Sequence, residues 1–508
     1  MFSSRVYVAW LALFGLVLRL HDITGEVYGK HGWRQADMAM VARNFHRHGL
    51  DIFFPQIDWA GPNPGFIGME FPLVPYLTAL FYRFFGEDIM WGRLLSITFF
   101  LVSLGPFFCL VRRYSTDRVA RWATFFYVLS PLSIYYSRVL MPESAMVSLS
   151  VLSVYFLSQW LETGSRASYF STALCSCLAV MVKGPAALIC FPMACLGMEK
   201  DGWKFWSRTG TWVLIFCVLF SGGLWYGHAF AVAEVNPPFE MFGESPWGLT
   251  GWYTALLEPH HHRRLFLQSV ALIVSPLGFM LAIWGLFKAS VSLNSRLFHW
   301  WAAGFLFTVL IAYSGNSAHE YYQFPAVPFM AVFAAVGSIA LVERWPKSLK
   351  FLVVGVVIPS LLLASTRYVG DVSIVLFRAG SAAATVIPRD ALVVTWDDGN
   401  PLVLYAADRK GWNFPLIVRT QRGQDRRDFQ PDQVPLMLED LRTRGADFLV
   451  IPRRRSGEMS SFERFKETIV GPPPAVGFPE SSEYERWLKD RYETVLEHPD
   501  VIVYSLDE

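Results

Sequence analysis

Charge is scarce in this chain of 508 residues: 17% are Asp, Glu, Lys or Arg, against roughly 25% in a soluble domain. What charge there is nearly cancels, 44 Lys and Arg against 42 Asp and Glu, so there is no basic face of the kind that holds nucleic acid. No cysteine pair has zinc or redox spacing; Cys109, Cys175, Cys177, Cys190, Cys195 and Cys217 all fall inside apolar runs, where a thiol is a small packing group. A Walker A loop, a GxGxxG between strand and helix and an Asp-x-Asp pair are also missing, which argues against a nucleotide donor. No repeat of fixed period is present.

Apolar residues are abundant instead, 53% of the chain with 16% aromatic, and they come in long runs. Runs of spanning length lie at Val6 to Leu20, Trp91 to Val111, Val119 to Tyr136, Ala145 to Leu161, Tyr169 to Val182, Ala186 to Gly197, Thr211 to Val232, Leu265 to Phe287, Leu297 to Tyr313, Phe324 to Val342 and Phe351 to Thr366. The fold class expected is an α-helical multi-pass membrane protein of about 11 spans. The first run lacks a cleavage site and reads as a retained span.

Lys and Arg should gather in short cytoplasmic loops. With the N-terminus inside, those loops carry Arg112, Arg113, Arg118 and Arg121, then Arg166, then Lys200, Lys204 and Arg208, then Lys288 and Arg296, then Arg344, Lys347 and Lys350. Counting Phe71 to Phe85 as a span would invert every later loop, so it is expected to lie in the outer interface. Residues 22–90 then form a first outer loop, residues 1–370 the membrane domain, and residues 381–508 a soluble α/β domain outside. Within that tail, strands are expected at Ala391 to Trp396, Leu402 to Ala406, Phe448 to Pro452 and Val501 to Leu506. Helices are expected at Leu436 to Arg444 and Tyr484 to Val495, and Pro472 to Pro474 mark a linker. The setting is the inner (plasma) membrane, with the C-terminal domain extracytoplasmic.

Ionisable residues then cluster on the outer side. Asp37 is expected in the first turn of an amphipathic helix, where free amides favour a carboxylate. Glu70 precedes Phe71-Pro72, and Glu143 sits at the outer mouth of a span. Three carboxylates on one face suit a general base with helpers. Arg138, Lys183 and Arg19 supply cations at the same level; snorkelling to headgroups explains most such residues, but an amine between two short spans, as at Lys183, is costly and more often functional. His31 and His319, the latter with Tyr321 and Tyr322, face the same compartment. The run His260 to His262 reads as a solvated loop, because adjacent histidines do not converge on a metal.

The order of these motifs resembles the GT-C class of polyprenyl-phosphate-dependent glycosyltransferases, which includes protein O-mannosyltransferases and lipid A aminoarabinose transferases. The resemblance runs over about the first 370 residues: Leu18-Arg-Leu20, the acid-bearing outer loop, Glu70-Phe-Pro-Leu73, Arg93-Leu-Leu-Ser96, Arg112-Arg113-Tyr114, Ser137-Arg138 up to Pro142-Glu143, Lys183-Gly-Pro185 and Tyr321-Tyr322 through Pro325. It implies an integral membrane enzyme that moves a sugar from a polyprenyl-phosphate donor to a hydroxyl acceptor on a lipid, glycan or protein. Asp37 would be the base, helped by Glu143 or Glu70, with Arg34, His31, Arg138, Lys183, His319, Tyr321 and Tyr322 binding substrate. Phe71 stands where the aminoarabinose transferases have a lysine, which moves phosphate binding onto Arg138, Lys183 and His319. No cofactor is called for, and a divalent metal stays an open alternative. The rival class is a transporter or lipid flippase, which needs inverted repeats that the sequence does not contain.

Overall fold

The computed structural model describes residues 3–236, 259–368, 372–414, 434–453 and 482–506, apart from Tyr28 and Asp398. Its helices are α1 (Ser4–Arg19), α2 (Gly32–His48), α3 (Leu73–Phe85), α4 (Met90–Arg113), α5 (Asp117–Leu129), α6 (Pro131–Tyr136), α7 (Glu143–Thr163), α8 (Arg166–Val182), α9 (Cys190–Asp201), α10 (Lys204–Ser207) and α11 (Thr209–Val235). They continue as α12 (Pro259–Leu272), α13 (Pro276–Ser292), α14 (Leu297–Ile311), α15 (Tyr313–Ala318), α16 (Val327–Arg344), α17 (Ser348–Ser365) and α18 (Val372–Ala383). Two short 3-10 turns, Gly184–Ile189 and Glu320–Ala326, precede α9 and α16.

Among the described residues five helices are long and apolar enough to cross a membrane: Met90–Arg113, Glu143–Thr163, Thr209–Val235, Glu320–Arg344 and Ser348–Ser365. The chain is a multi-pass membrane protein. Its peripheral helices show why: α11 exposes Trp212, Phe216, Leu219, Phe220 and Leu224, and α17 exposes Phe351, Val354, Ile358 and Leu362, stripes at helical spacing that lipid can cover.

Several apolar runs are broken where the sequence reading had single spans. The run Leu265 to Phe287 is two helices, α12 and α13, bent by 96°. Ser275 takes a positive φ of 67° and its side chain accepts from the Gly278 N–H, while Pro276 starts α13, a position where its missing N–H costs nothing. Val119 to Tyr136 breaks in the same way, with the Ser130 hydroxyl accepting from Ser133 N–H at 3.1 Å ahead of Pro131. Phe71 to Phe85, read as an interfacial segment, contains the short α3.

The tightest helix pair is α13 against α16. A Cβ at Gly285 would meet the Phe333 carbonyl at 1.9 Å, and one at Gly337 would meet the Leu281 carbonyl at 2.1 Å. Each glycine therefore receives the other helix's backbone, the close approach that small residues permit between spans.

The C-terminal segments form a five-stranded sheet of order β2-β1-β3-β5-β4: β1 (Leu392–Trp396), β2 (Lys410–Phe414), β3 (Phe448–Pro452), β4 (Thr494–His498) and β5 (Val501–Ser505). The pairs β1–β2 and β1–β3 are parallel; β3–β5 and β4–β5 are antiparallel. Helices α19 (Leu402–Ala407), α20 (Val434–Thr443) and α21 (Ser482–Arg491) accompany them. Leu402 to Ala406, expected as a strand, is helical: the Asn400 side chain caps the Leu402 N–H at 3.1 Å and Asp408 closes the turn in left-handed geometry. The stretch Tyr484 to Val495, expected as one helix, ends at Arg491 and gives way to β4. Pro472 to Pro474 lie outside the described residues.

Between α2 and α3 the first long loop doubles back on itself through a Gln56–Phe66 bridge. Its tip reaches the edge of the sheet: Gly61 N–H donates to the Gly411 carbonyl at 2.6 Å, and Gly411 N–H donates to the Asp58 carbonyl at 2.9 Å.

Gly337→Ala should lower the thermal unfolding midpoint in detergent, at a cost of about 1–3 kcal/mol for forcing two backbones apart. Gly223→Ala on α11, where a Cβ meets nothing within 4 Å, should leave the midpoint unchanged.

Candidate active site

Helix α2 is polar in composition yet buried from Arg34 to Phe45. Its N-cap, His31, has the left-handed pair φ 56°, ψ 36°, a conformation that His tolerates better than most residues. The helix starts at Gly32, so Asp37 lies in the second turn and not the first. Free N-terminal amides therefore do not serve its carboxylate, contrary to the expected first-turn placement.

Arg34 and Asp37, three residues apart, share one face. Arg34 is ion-paired to Glu70, whose loop is fixed by the Trp225 indole donating to the Met69 carbonyl at 3.0 Å and by Phe71 N–H donating to the Met181 carbonyl at 3.0 Å. That second bond ties Glu70 to the end of α8, beside Lys183. Lys183 pairs with the buried Glu143, and its ammonium lies 4.5 Å from the centre of the Tyr321 ring and 4.8 Å from that of Tyr322. Tyr321 is in electrostatic reach of Glu143, Arg34 and Glu70. Asp37, Arg34, Glu70, Lys183, Glu143, Tyr321 and Tyr322 thus form one cluster.

The members of the cluster differ in how they hold protons. Burial pushes the Asp37 carboxyl up to about 7; the Arg34 charge and the Trp59 indole only partly offset this, and the Glu70 charge adds to it. Burial would raise Glu70 too, but the charges of Arg34 and Lys183 hold it below the usual carboxylate range. Asp37 Oδ1 and Glu143 Oε2 are buried without a hydrogen-bond partner. A carboxyl poised near neutrality, with a free oxygen, is suited to taking a proton.

A second group adjoins the first. His31 Nε2 is 3.7 Å from Glu320 Oε2, and Glu320 Oε1 accepts from Tyr136 at 3.1 Å and from Arg367 at 2.9 Å. The His31 ring lies 5.2 Å from that of His319 and 4.8 Å from that of Tyr321, and His319 stacks on Tyr321 at 5.3 Å. Burial lowers His31, against the pull of Glu320, and keeps the ring neutral. Glu320, Arg367, Tyr136 and Trp59 escaped the sequence reading. Glu320 stands beside His319, and Arg367 directly follows the last apolar run; both positions were signals for them.

Arg138 is placed differently from expectation. It donates to the Asp22 carbonyl and lies 4.8 Å from the Tyr368 ring centre, while Arg93 donates to the carbonyls of Asp22, Ile23, Gly25 and Glu26. The two guanidiniums brace the root of the first loop. Arg19 does not snorkel; it is buried against Ser133, Ser137 and the Phe100 face. His261 bonds to Ser317 at 2.6 Å and His262 to Tyr313, and among the described residues no three His, Cys, Asp or Glu side chains converge as metal ligands would.

The architecture is that of the GT-C class of membrane glycosyltransferases. Residues 68–226, less than half of the chain, match the family model described as dolichyl-phosphate-mannose-protein mannosyltransferase; this stretch contains Glu70, Glu143 and Lys183 and leaves out Asp37. Among solved structures the chain is similar to ArnT from Cupriavidus metallidurans bound to undecaprenyl phosphate, with 13% identity, a TM-score of 0.63, and 99% of this chain and 98% of that one covered. It is also similar to the oligosaccharyltransferase AglB from Archaeoglobus fulgidus in complex with an inhibitory peptide and a dolichol-phosphate (12%, TM-score 0.59, 88% and 69% covered). The arabinofuranosyltransferase AftD from Mycobacteria matches at 13% and a TM-score of 0.56, over 100% of this chain and 40% of that one. No curated protein sequence matches.

Lys183→Met strands the Glu143 carboxylate in the interior and should cost about 3–5 kcal/mol, seen as a lower unfolding midpoint in detergent. Adding Glu143→Leu removes the orphaned charge and should recover most of the loss.

Proposed function

We propose that the protein transfers a sugar from a polyprenyl-phosphate donor to a hydroxyl acceptor, on a lipid, glycan or protein, by a single inverting displacement. Asp37 is the base. The observation that carries this is the Asp37 carboxyl itself: buried, raised to about 7, and with one oxygen unpartnered beside Arg34 and Glu70. The acceptor oxygen attacks the anomeric carbon, its proton passes to Asp37, and the bond from that carbon to the phosphate oxygen breaks with its electron pair leaving on the phosphate.

Glu70 and Glu143 are helpers through their cations, since each is already tied to one. Lys183 and Arg34 are the cations suited to the leaving phosphate, whose charge needs neutralising more than it needs a proton. Arg138, which donates to the Asp22 carbonyl, is assigned to the scaffold. Tyr321, Tyr322, His319 and His31 offer ring faces and neutral polar nitrogens to the sugar. The distribution of Lys and Arg among the loops supports a cytoplasmic N-terminus, with the site and the C-terminal sheet on the extracytoplasmic side.

Asp37→Asn should cut sugar transfer by about 10²–10⁴-fold with an unchanged unfolding midpoint, assayed with the polyprenyl-phosphate sugar that copurifies with the protein. Transfer at the wild-type rate would show that another group takes the proton. The pH dependence has a fixed sign, because a base acts only when deprotonated. With Asp37 titrating at about 7, kcat/KM should be level above that pH and fall about tenfold per unit below it.

A further inference from the structure

Where α2 ends, the first long loop folds around a hollow of about 470 Å³ lined by His48, Asp51, Phe54, Gln56 and Phe66. Its walls are tied together: His48 Nδ1 lies 3.0 Å from Gln56 Oε1, the Gln56 carbonyl accepts from Asn44 at 3.1 Å, and Asp51 Oδ1 accepts from Phe53 N–H at 3.1 Å. Phe54 and Phe66 meet edge to face, with ring centres 5.4 Å apart, and Phe53 and Phe54 keep 55% and 41% of their surface exposed. From the hollow a row of rings runs back to the candidate site. Phe54 is 5.5 Å from His228, His228 is 5.7 Å from Trp225, and Trp225 is 4.8 Å from Phe71, the neighbour of Glu70. Phe53 lies along the same row, 5.6 Å from His228 and 6.2 Å from Trp225. His228 Nε2 sits 2.7 Å from the Phe53 carbonyl, and at Gly68, where a Cβ would meet the Ala229 carbonyl at 2.0 Å, the loop lies directly on α11. The chain from Phe66 to Glu70 spans no more than about 14 Å, and along α2 His48 lies about 16 Å beyond Asp37.

We infer that the hollow at His48, Asp51, Phe54 and Gln56 binds a sugar ring of the acceptor, a neutral glycan that runs along Phe53, His228 and Trp225 to present its attacking hydroxyl at Asp37. A sugar ring has an apolar C–H face and a rim of hydroxyls. The Phe54 and Phe66 rings suit the face, and a carboxylate, an amide and an imidazole suit the rim, as donors and acceptors fixed in place by their own bonds. Among the described residues the lining holds no Lys or Arg, so a phosphate or anionic headgroup finds no cation there and is repelled by Asp51. An acyl chain would have to desolvate Asp51, Gln56 and His48 without pairing them. The separation from Asp37 is longer than one sugar ring, which favours an oligosaccharide over a small alcohol. The occupant is an acceptor only if the chain transfers sugars as proposed above; the sugar binding itself stands on the hollow and its row of rings.

Hydroxyl-radical footprinting of the full chain in phosphatidylcholine nanodiscs, read by peptide mass spectrometry, reports water contact at Phe53 and Phe54. Mannotriose, maltotriose and tri-N-acetylchitotriose at millimolar concentration serve as the probes. Both rings should oxidise in the absence of sugar, and at least one trisaccharide should protect them. Phe54→Ala and Asp51→Asn should each weaken that trisaccharide about tenfold, the loss expected for one ring contact or one charged hydrogen bond, as measured by saturation-transfer NMR. Should Phe54→Ala not fold, Gln56→Ala removes a polar wall of the same hollow and carries the same expectation. Rings that stay unoxidised lie in lipid, and that result overturns the inference, as does oxidation that none of the three sugars reduces or binding that no variant weakens. Asp37→Asn should bind the trisaccharide as wild type does. An active Asp37→Asn enzyme would sink the base assignment and leave the footprint untouched, whereas an inactive one without a footprint would sink the sugar site alone.

Discussion

Burying a polar helix is the constraint on which the rest of this structure depends. Helix α2 places Arg34, Asp37, Arg43 and Asn44 out of water, and each such group is costly unless it is paired. The partners come from parts of the chain far apart in sequence: Glu70 from the first loop answers Arg34, Asp58 from the same loop answers Arg43 and Asn44, and Asp408 from beyond the last span answers Arg43 again. The first loop has to double back to deliver Asp58 and Glu70, and the sheet has to dock on α2 to deliver Asp408. Membrane helices, loop and sheet are therefore arranged around one buried polar element.

Within that arrangement the Asp37 carboxyl is the exception, with one oxygen buried and unpartnered. Arg34, the nearest cation, is taken by Glu70, and Lys183 is taken by Glu143. Asp37 is left to bear burial with a shared cation and an indole, which is why its proton affinity rises while that of Glu70 falls. Two carboxyls in one cluster are thus shifted in opposite directions by their neighbours. Buried pairs are weak contributors to stability, and here they tie Arg34 to Glu70 and Lys183 to Glu143.

Much of this was open to inspection in the sequence, and the misses have physical causes. Hydropathy located the apolar runs, because lipid-facing and core-facing residues are apolar alike. It could not see the breaks at Ser130 and Ser275, which depend on a hydroxyl cap and a following proline within runs that average as apolar. The segment Leu402 to Ala406 has the composition of a strand, yet Asn400 and Asp408 close it as a helix; β2 went unread because Lys410, Gly411 and Asn413 interrupt its apolar pattern. Asp37, Glu70, Glu143 and Lys183 could be singled out as costly charges on one side of a membrane. Who pairs with whom could not, since Arg34–Glu70 and Lys183–Glu143 are contacts between distant segments with no local signature.

Arg138 shows the same limit from the other direction. Side of the membrane and charge made it equal to Lys183 as a phosphate ligand, but the two meet different neighbours. Lys183 faces a carboxylate and two aromatic rings, a partner set that an incoming phosphate can compete with. Arg138 and Arg93 face backbone carbonyls of residues 22–26, just past the end of α1. Drawing those guanidiniums toward a ligand would take these bonds from the loop root, a few residues before His31 and α2. In this fold the two sets of cations are separated by what they are bonded to: Arg93 and Arg138 by backbone carbonyls at the loop root, Arg34 and Lys183 by the carboxylates of Glu70 and Glu143.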